Sequence, residues 1–104
     1  MQYVELGKTG KKVSRLGFGA MRLPFDDEKT SIELLRKGVE LGINYIDTAP
    51  LYGEGKSEIL VGKAIADIRD KVYISTKNFL EDNTQEGWWG RLNKTLERMQ
   101  VDHI

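Results

Sequence analysis

Apolar residues along the 104-residue chain fall into short runs of strand length separated by longer stretches with helical spacing. Near the N-terminus, Tyr3–Leu6 and Val13–Leu16 each alternate, and the Gly7-Lys8-Thr9-Gly10 segment between them carries turn residues, so a β-hairpin is expected over 1–16. A third apolar run, Leu16–Gly19, stops at Ala20-Met21 and Pro24 and reads as the first strand of something larger. In "DDEKTSIELLRKGVELG", Ile32, Leu35 and Val39 fall at i, i+3 and i+7, with Asp26 and Asp27 suited to a helix start and Gly42 to its end. "INYID" then reads as a short strand of mixed polarity.

The second half repeats the alternation. In "SEILVGKAIADI", Val61, Ala64, Ile65 and Ile68 make a narrow apolar stripe on a second helix, with Ser57 as its expected N-cap and Glu58 near its positive end. Val72–Thr76 is β-branched and aromatic, as in a buried parallel strand. Trp88, Leu92, Thr95, Leu96 and Met99 share one face of a third helix, for which Asn83 and Glu86 form a capping pair, and Trp88 and Trp89 read as core and surface filler. The closing "VDHI" has the pattern of another strand beginning. The order is a hairpin followed by β-α-β-α-β-α-(β), which predicts parallel strands with crossover helices and hence an α/β fold. No linker or composition shift divides the chain.

Composition narrows function mainly by exclusion. Sixteen basic side chains balance sixteen acidic ones, which argues against a nucleic-acid partner and against an anionic membrane surface. There is no cysteine, so thiolate chemistry and cysteine-ligated metal are absent. No apolar run reaches the length of a membrane span and the N-terminus has no secretory pattern, so the default expectation is a soluble cytoplasmic protein. The only histidine, His103, lies near the start of the closing run, where packing or exposure is the ordinary role, and no second ligand beside it supports a metal.

Parallel α/β folds gather their ligand sites at the carboxyl ends of the strands. Three predicted strand ends carry residues of interest: Gly19-Ala20-Met21, Asp47, and Lys77, with Tyr52 on the loop leaving Asp47. Singly, each has a plain structural reading as a cap, a packed ring or a solvated lysine. Together they would set an acid, a phenol and an amine at one rim. A lysine ammonium beside a phenol favours release of the phenolic proton, and a carboxylate keeps the ammonium charged and aimed. That set suits protonation of an alkoxide as hydride reaches a carbonyl. "GEGKSE" is glycine-rich but has neither the GxxxxGK[ST] spacing nor the GxGxxG register, and reads as a turn into the second helix.

Several of these segments, in order, resemble the aldo-keto reductase family: "LGFGAMRLP" is similar to its first barrel strand, "GINYIDTAPLYGEGKSEILVGKAI" to its signature, "KVYISTK" to the strand bearing its lysine, and "LNKTLERMQVDHI" to the approach to its fourth strand. The resemblance implies the N-terminal portion of a (β/α)8 TIM barrel with a hairpin at its base, a single incomplete domain over 1–104. It also implies NADP(H)-dependent reduction of aldehydes or ketones, with a small-molecule carbonyl as substrate. Tyr52 would be the general acid, Lys77 the residue that eases loss of its proton, and Asp47 the partner of Lys77. Gly19, Ala20, Met21 and Asp47 would line the nicotinamide end of the cofactor, and Met21, Leu51 and Tyr52 the carbonyl pocket. The family's catalytic histidine at the fourth strand and most of its adenosine-phosphate and ribose contacts have no counterpart up to Ile104. The expectation is therefore a fragment inactive alone. The alternative is a non-catalytic α/β unit that associates through open sheet edges with another copy or a partner.

Overall fold

Two sheets organise the chain in a computed structural model that describes residues 1–79 and 81–104. The first is the expected hairpin: β1 (Tyr3–Glu5) and β2 (Lys12–Ser14) are antiparallel, with Val4 opposite Val13. Gly7 and Gly10 at its turn take φ of 58° and 74°, in the left-handed region that only glycine enters freely. β1 is exposed on both faces, whereas β2 buries Val13 and Ser14. Tyr3 Oη donates to the Gly42 carbonyl at 2.8 Å, and Asn44 exchanges hydrogen bonds with Ser14 and donates to the Lys12 carbonyl.

The second sheet is parallel, with order β3 (Phe18–Gly19), β4 (Tyr45–Asp47) and β5 (Tyr73–Ser75). Ile46 pairs with Phe18 on one side and Ile74 on the other. Helices α1 (Glu28–Glu40), α2 (Lys56–Ile65) and α3 (Gln85–Met99) connect and follow these strands in the predicted order. α1 starts where the acidic pair placed it: the Asp27 carboxylate accepts from Thr30 N at 3.0 Å. The side-chain and backbone hydrogen bonds from Thr30 hold that carboxyl below its ordinary range.

Strand alternation decides which side faces the helices. Ile46 and Ile74 are buried against Leu35, Val61, Ala64, Ile65 and Met99, forming the core between sheet and helices. Tyr45, Asp47, Tyr73 and Ser75 lie on the opposite face and are only half-buried. The expectation of a buried third strand is thus corrected, since among the described residues the second sheet face has no covering layer.

Five other expectations change. Gly55, at φ 90°, is the N-cap of α2; Ser57 lies within the helix, fully buried, because its hydroxyl bonds across to Ala20 and Thr48. The stripe on α2 is also wide: Ser57, Glu58, Leu60 and Gly62 are buried along with Val61, Ala64 and Ile65. α3 is capped by Thr84, whose Oγ1 accepts from Gly87 N at 3.0 Å, instead of by Asn83 and Glu86. Asp82 favours that choice by accepting from both the backbone and the hydroxyl of Thr84. Finally, Trp88 and Trp89 are both exposed, and Val101–Ile104 forms no strand, having no ladder with β5.

Among the described residues no helix is long and apolar enough to cross a membrane, and no group of three acidic, histidine or cysteine side chains is placed to hold a metal ion. His103 is exposed beside Asp102.

Candidate active site

Asp47 is the last residue of β4, on the half-buried face of the sheet. Thr48 continues the ladder by donating from its backbone N to Ser75 O at 2.8 Å, which fixes the carboxyl end of β4 against β5. Two residues beyond Ser75, Lys77 reaches back across that junction. Its Nζ donates to Asp47 Oδ2 at 2.9 Å and to the Thr48 carbonyl at 2.9 Å. Ser75 Oγ donates to the other Asp47 oxygen at 3.0 Å, so both oxygens are held and the carboxylate cannot swing away.

Tyr52 arrives by a tightly folded loop. The chain turns at Ala49, whose carbonyl accepts from Tyr52 N, and then passes through Gly53, Glu54 and Gly55 at φ 58°, 55° and 90°. Three left-handed residues in succession reverse the chain into α2, and Glu54 is the one for which that region is strained. Gly53 also has no room for a side chain, because a Cβ would lie 2.8 Å from the Phe25 ring. The result is a phenol ring with the Lys77 ammonium 4.9 Å from its centroid, within cation–π range.

Lys77 feels opposing influences. Burial pushes its pKa down, while the hydrogen bonds and negative charge offered by Asp47, and by Tyr52, push it up; the second set prevails, and Lys77 sits above its ordinary value. The ammonium is therefore the stable form at neutral pH. The pair is nevertheless open: the Lys77 and Asp47 side chains are 39% and 41% exposed.

Of the other expected site residues, Met21 and Leu51 are exposed apolar groups, and Gly19 is exposed, with nothing within 4 Å of where a Cβ would stand. Ala20 differs. It has no accessible surface, belongs to the core cluster, and its carbonyl is taken by Ser57. It offers packing where a cofactor contact was expected. An acid, an ammonium and a phenol thus lie at one rim, with open space before Gly19.

One polar centre was missed by the sequence reading. Glu58 is completely buried, accepting from Thr76 Oγ1 at 2.8 Å, Thr95 Oγ1 at 3.1 Å and Arg98 Nε at 2.6 Å. A signal was available: Glu58, Val61 and Ile65 fall at i, i+3 and i+7, which puts a carboxylate on the apolar stripe.

The sequence model of the Aldo/keto reductase family matches residues 15–104. The chain belongs to that family. The aldo-keto reductase YhdN of Bacillus subtilis (strain 168) is 37% identical over 119 aligned positions, which take in 100% of this chain and 36% of that protein. Among solved structures, the holo form of aldo-keto reductase AKR11C1 from Bacillus halodurans is 35% identical with a TM-score of 0.88, matching 100% of this chain and 38% of its own. An aldo/keto reductase from Klebsiella pneumoniae in complex with NADP and acetate is 27% identical with a TM-score of 0.84, over 89% of this chain and 34% of its own. The fold is the N-terminal portion of the reductase (β/α)8 barrel, and the chain spans little more than a third of the length of these relatives.

Proposed function

We propose that the chain carries the proton-donating side of an NADP(H)-dependent carbonyl-reducing site, with Tyr52 as general acid, Lys77 as the ammonium beside it and Asp47 as the group that aims Lys77. The observation that carries this is the single rim at which Lys77 Nζ binds Asp47 and Thr48 and lies over the Tyr52 ring. NADPH, when bound, supplies the hydride that a carbonyl carbon accepts. The chain's residues manage the proton. As negative charge grows on a carbonyl oxygen near Tyr52, the phenol gives up its proton to that oxygen, and the alcohol is complete. The phenolate left behind is stabilised by the Lys77 cation and regains its proton from solvent through the half-open rim. Asp47 keeps Lys77 charged throughout.

Gly19 and Met21 are the candidates for lying against the nicotinamide end, and Met21 and Leu51 supply apolar walls for a small aldehyde or ketone. We expect the 104 residues by themselves neither to hold NADPH nor to turn over, since they span little more than a third of the length of their relatives. A second reading, association of a non-catalytic α/β unit with another copy or a partner, is favoured by one observation: a cavity of about 240 Å³ just past β5, where Trp88, Leu92 and Ile104 join Thr76, Lys77 and Asn78 in the lining.

The test joins residues 1–104 to the part of YhdN that lies beyond the matched segment. The chimera should reduce aldehydes with NADPH, and Tyr52→Phe should lower kcat by about 100-fold or more, as loss of a general acid does. Turnover that survives Tyr52→Phe unchanged contradicts the assignment. Saturable NADPH fluorescence with the 104 residues alone would overturn the expectation that they do not bind it.

A further inference from the structure

The first turn of α2 makes contact with the end of every strand in the parallel sheet. Ser57 and Glu58, consecutive and both with no accessible surface, do this with three hydrogen bonds. Ser57 Oγ donates to the Ala20 carbonyl, just past β3, at 2.9 Å. It has no second hydrogen to give, so in its 2.7 Å contact with Thr48 Oγ1, just past β4, it accepts. Glu58 Oε1 accepts from Thr76 Oγ1, just past β5, at 2.8 Å.

Each anchored residue is the immediate neighbour of a candidate site residue. Ala20 follows Gly19, Thr48 follows Asp47, and Thr76 precedes Lys77. Thr48 is bound twice over, since its carbonyl takes the Lys77 ammonium. α3 completes the arrangement from behind: Arg98 Nε holds Glu58 Oε2, Thr95 Oγ1 donates to Oε1, and Arg98 Nη2 donates to Thr95. All the carboxylate's neighbours are donors, so it has no freedom to turn. Apolar side chains of the same volume would serve stability as well, because buried ion pairs are commonly no better than packed hydrocarbon. What hydrogen bonds add is fixed distance and direction.

We propose that Ser57 and Glu58 are positioning residues, a two-residue clamp that sets the spacing of the three strand ends and thereby holds Lys77 against Asp47 and Thr48. The inference rests on the roles given above to Asp47, Tyr52 and Lys77. Neither clamp residue reaches the rim, and both act through the backbone segments they tether.

The experiment follows the titration of Lys77 in the full chain by NMR of its side-chain ε-carbon and ζ-nitrogen, alongside thermal unfolding. Thr76→Val keeps the shape and charge of the site and removes one tether. It should lower the Lys77 midpoint by roughly half a pH unit or more, as a loosened charge-assisted hydrogen bond does. Thr76→Ser, which keeps the hydroxyl, and Leu35→Val, a core change in α1 that removes none of the clamp's hydrogen bonds, should leave the midpoint in place. A loss of stability in Thr76→Val with the Lys77 midpoint unmoved overturns the clamp as a positioning device. Asp47→Asn separates the two levels: if it lowers the midpoint and Thr76→Val does not, the clamp alone fails. If neither moves it, the reading of the Lys77–Asp47 pair fails and the clamp with it. Should Thr76→Val not fold, Ser57→Ala, also neutral and suited to a helix, is judged by the same outcomes.

Discussion

Two carboxylates stand near the same ends of the parallel strands, and they live in different worlds. Glu58 is sealed, with its oxygens taken by two hydroxyls and a guanidinium. Asp47 is held just as firmly by Ser75 and Lys77, yet the Asp47–Lys77 pair is about two-fifths exposed. A charge that is buried and fully partnered can only be disturbed at high cost, whereas a pair at the water's edge contributes little to stability. The first arrangement defines geometry. The second leaves an ammonium beside a phenol at a solvent-facing rim, as the proposed proton-donating role requires. The contrast explains why the chain spends two ion pairs on one end of its sheet.

The largest effect should come from opening the sealed pair. Glu58→Ala strands Arg98, Thr76 and Thr95 without their acceptor and should cost about 3–5 kcal/mol in chemical denaturation. A loss below about 1 kcal/mol would mean that the centre is wetter than its burial indicates. Next is Gly62→Ala. Gly62 lies where α2 crosses the Met99 backbone, a Cβ there would overlap the Met99 carbonyl carbon at 2.7 Å, and overpacking of this kind costs about 1–3 kcal/mol. Because Glu58 and Gly62 are one helical turn apart, the double variant should be less destabilised than the sum of the two.

At the open pair, Asp47→Asn should change stability at neutral pH by less than about 1 kcal/mol. Its pH signature is sharper than its size. Lys77 is raised in the folded chain, so its contribution is fully present below the ordinary lysine value of about 10.4 and is lost as pH rises through the folded value. Alkaline unfolding curves of Asp47→Asn should lack that step, and a step that persists would assign it to another group. Smallest of all is Tyr52→Phe, expected to leave thermal unfolding within about 0.5 kcal/mol of the parent, since the ring and its packing remain.

The same contrast marks what could be read in advance. Asp47, Tyr52 and Lys77 stood out because polar residues directly after apolar runs are strand ends, and parallel strand ends converge. Helix order and the hairpin followed from local spacing alone. Glu58 looked ordinary, because a carboxylate in a helix's first turn already has an explanation in the helix dipole, and its guanidinium partner is 40 residues further along the chain. Ser57 was misread for a related reason: a serine near a helix start suits a cap, and only the approach of Ala20 and Thr48 shows where its hydroxyl goes. At α3, Asn83 was expected to cap with Glu86, and the neighbouring Thr84 takes that place because Asp82 binds the threonine. Burial created by a distant segment is what local patterns cannot carry.

The most direct test sets Glu58→Gln beside Asp47→Asn in thermal unfolding at neutral pH, since each removes one charge and keeps the side chain's shape. Glu58→Gln should lower Tm by about 10 °C or more, while Asp47→Asn moves it by no more than a few degrees. Equal losses in the two variants would contradict the division between a sealed pair that fixes geometry and an open pair kept for chemistry.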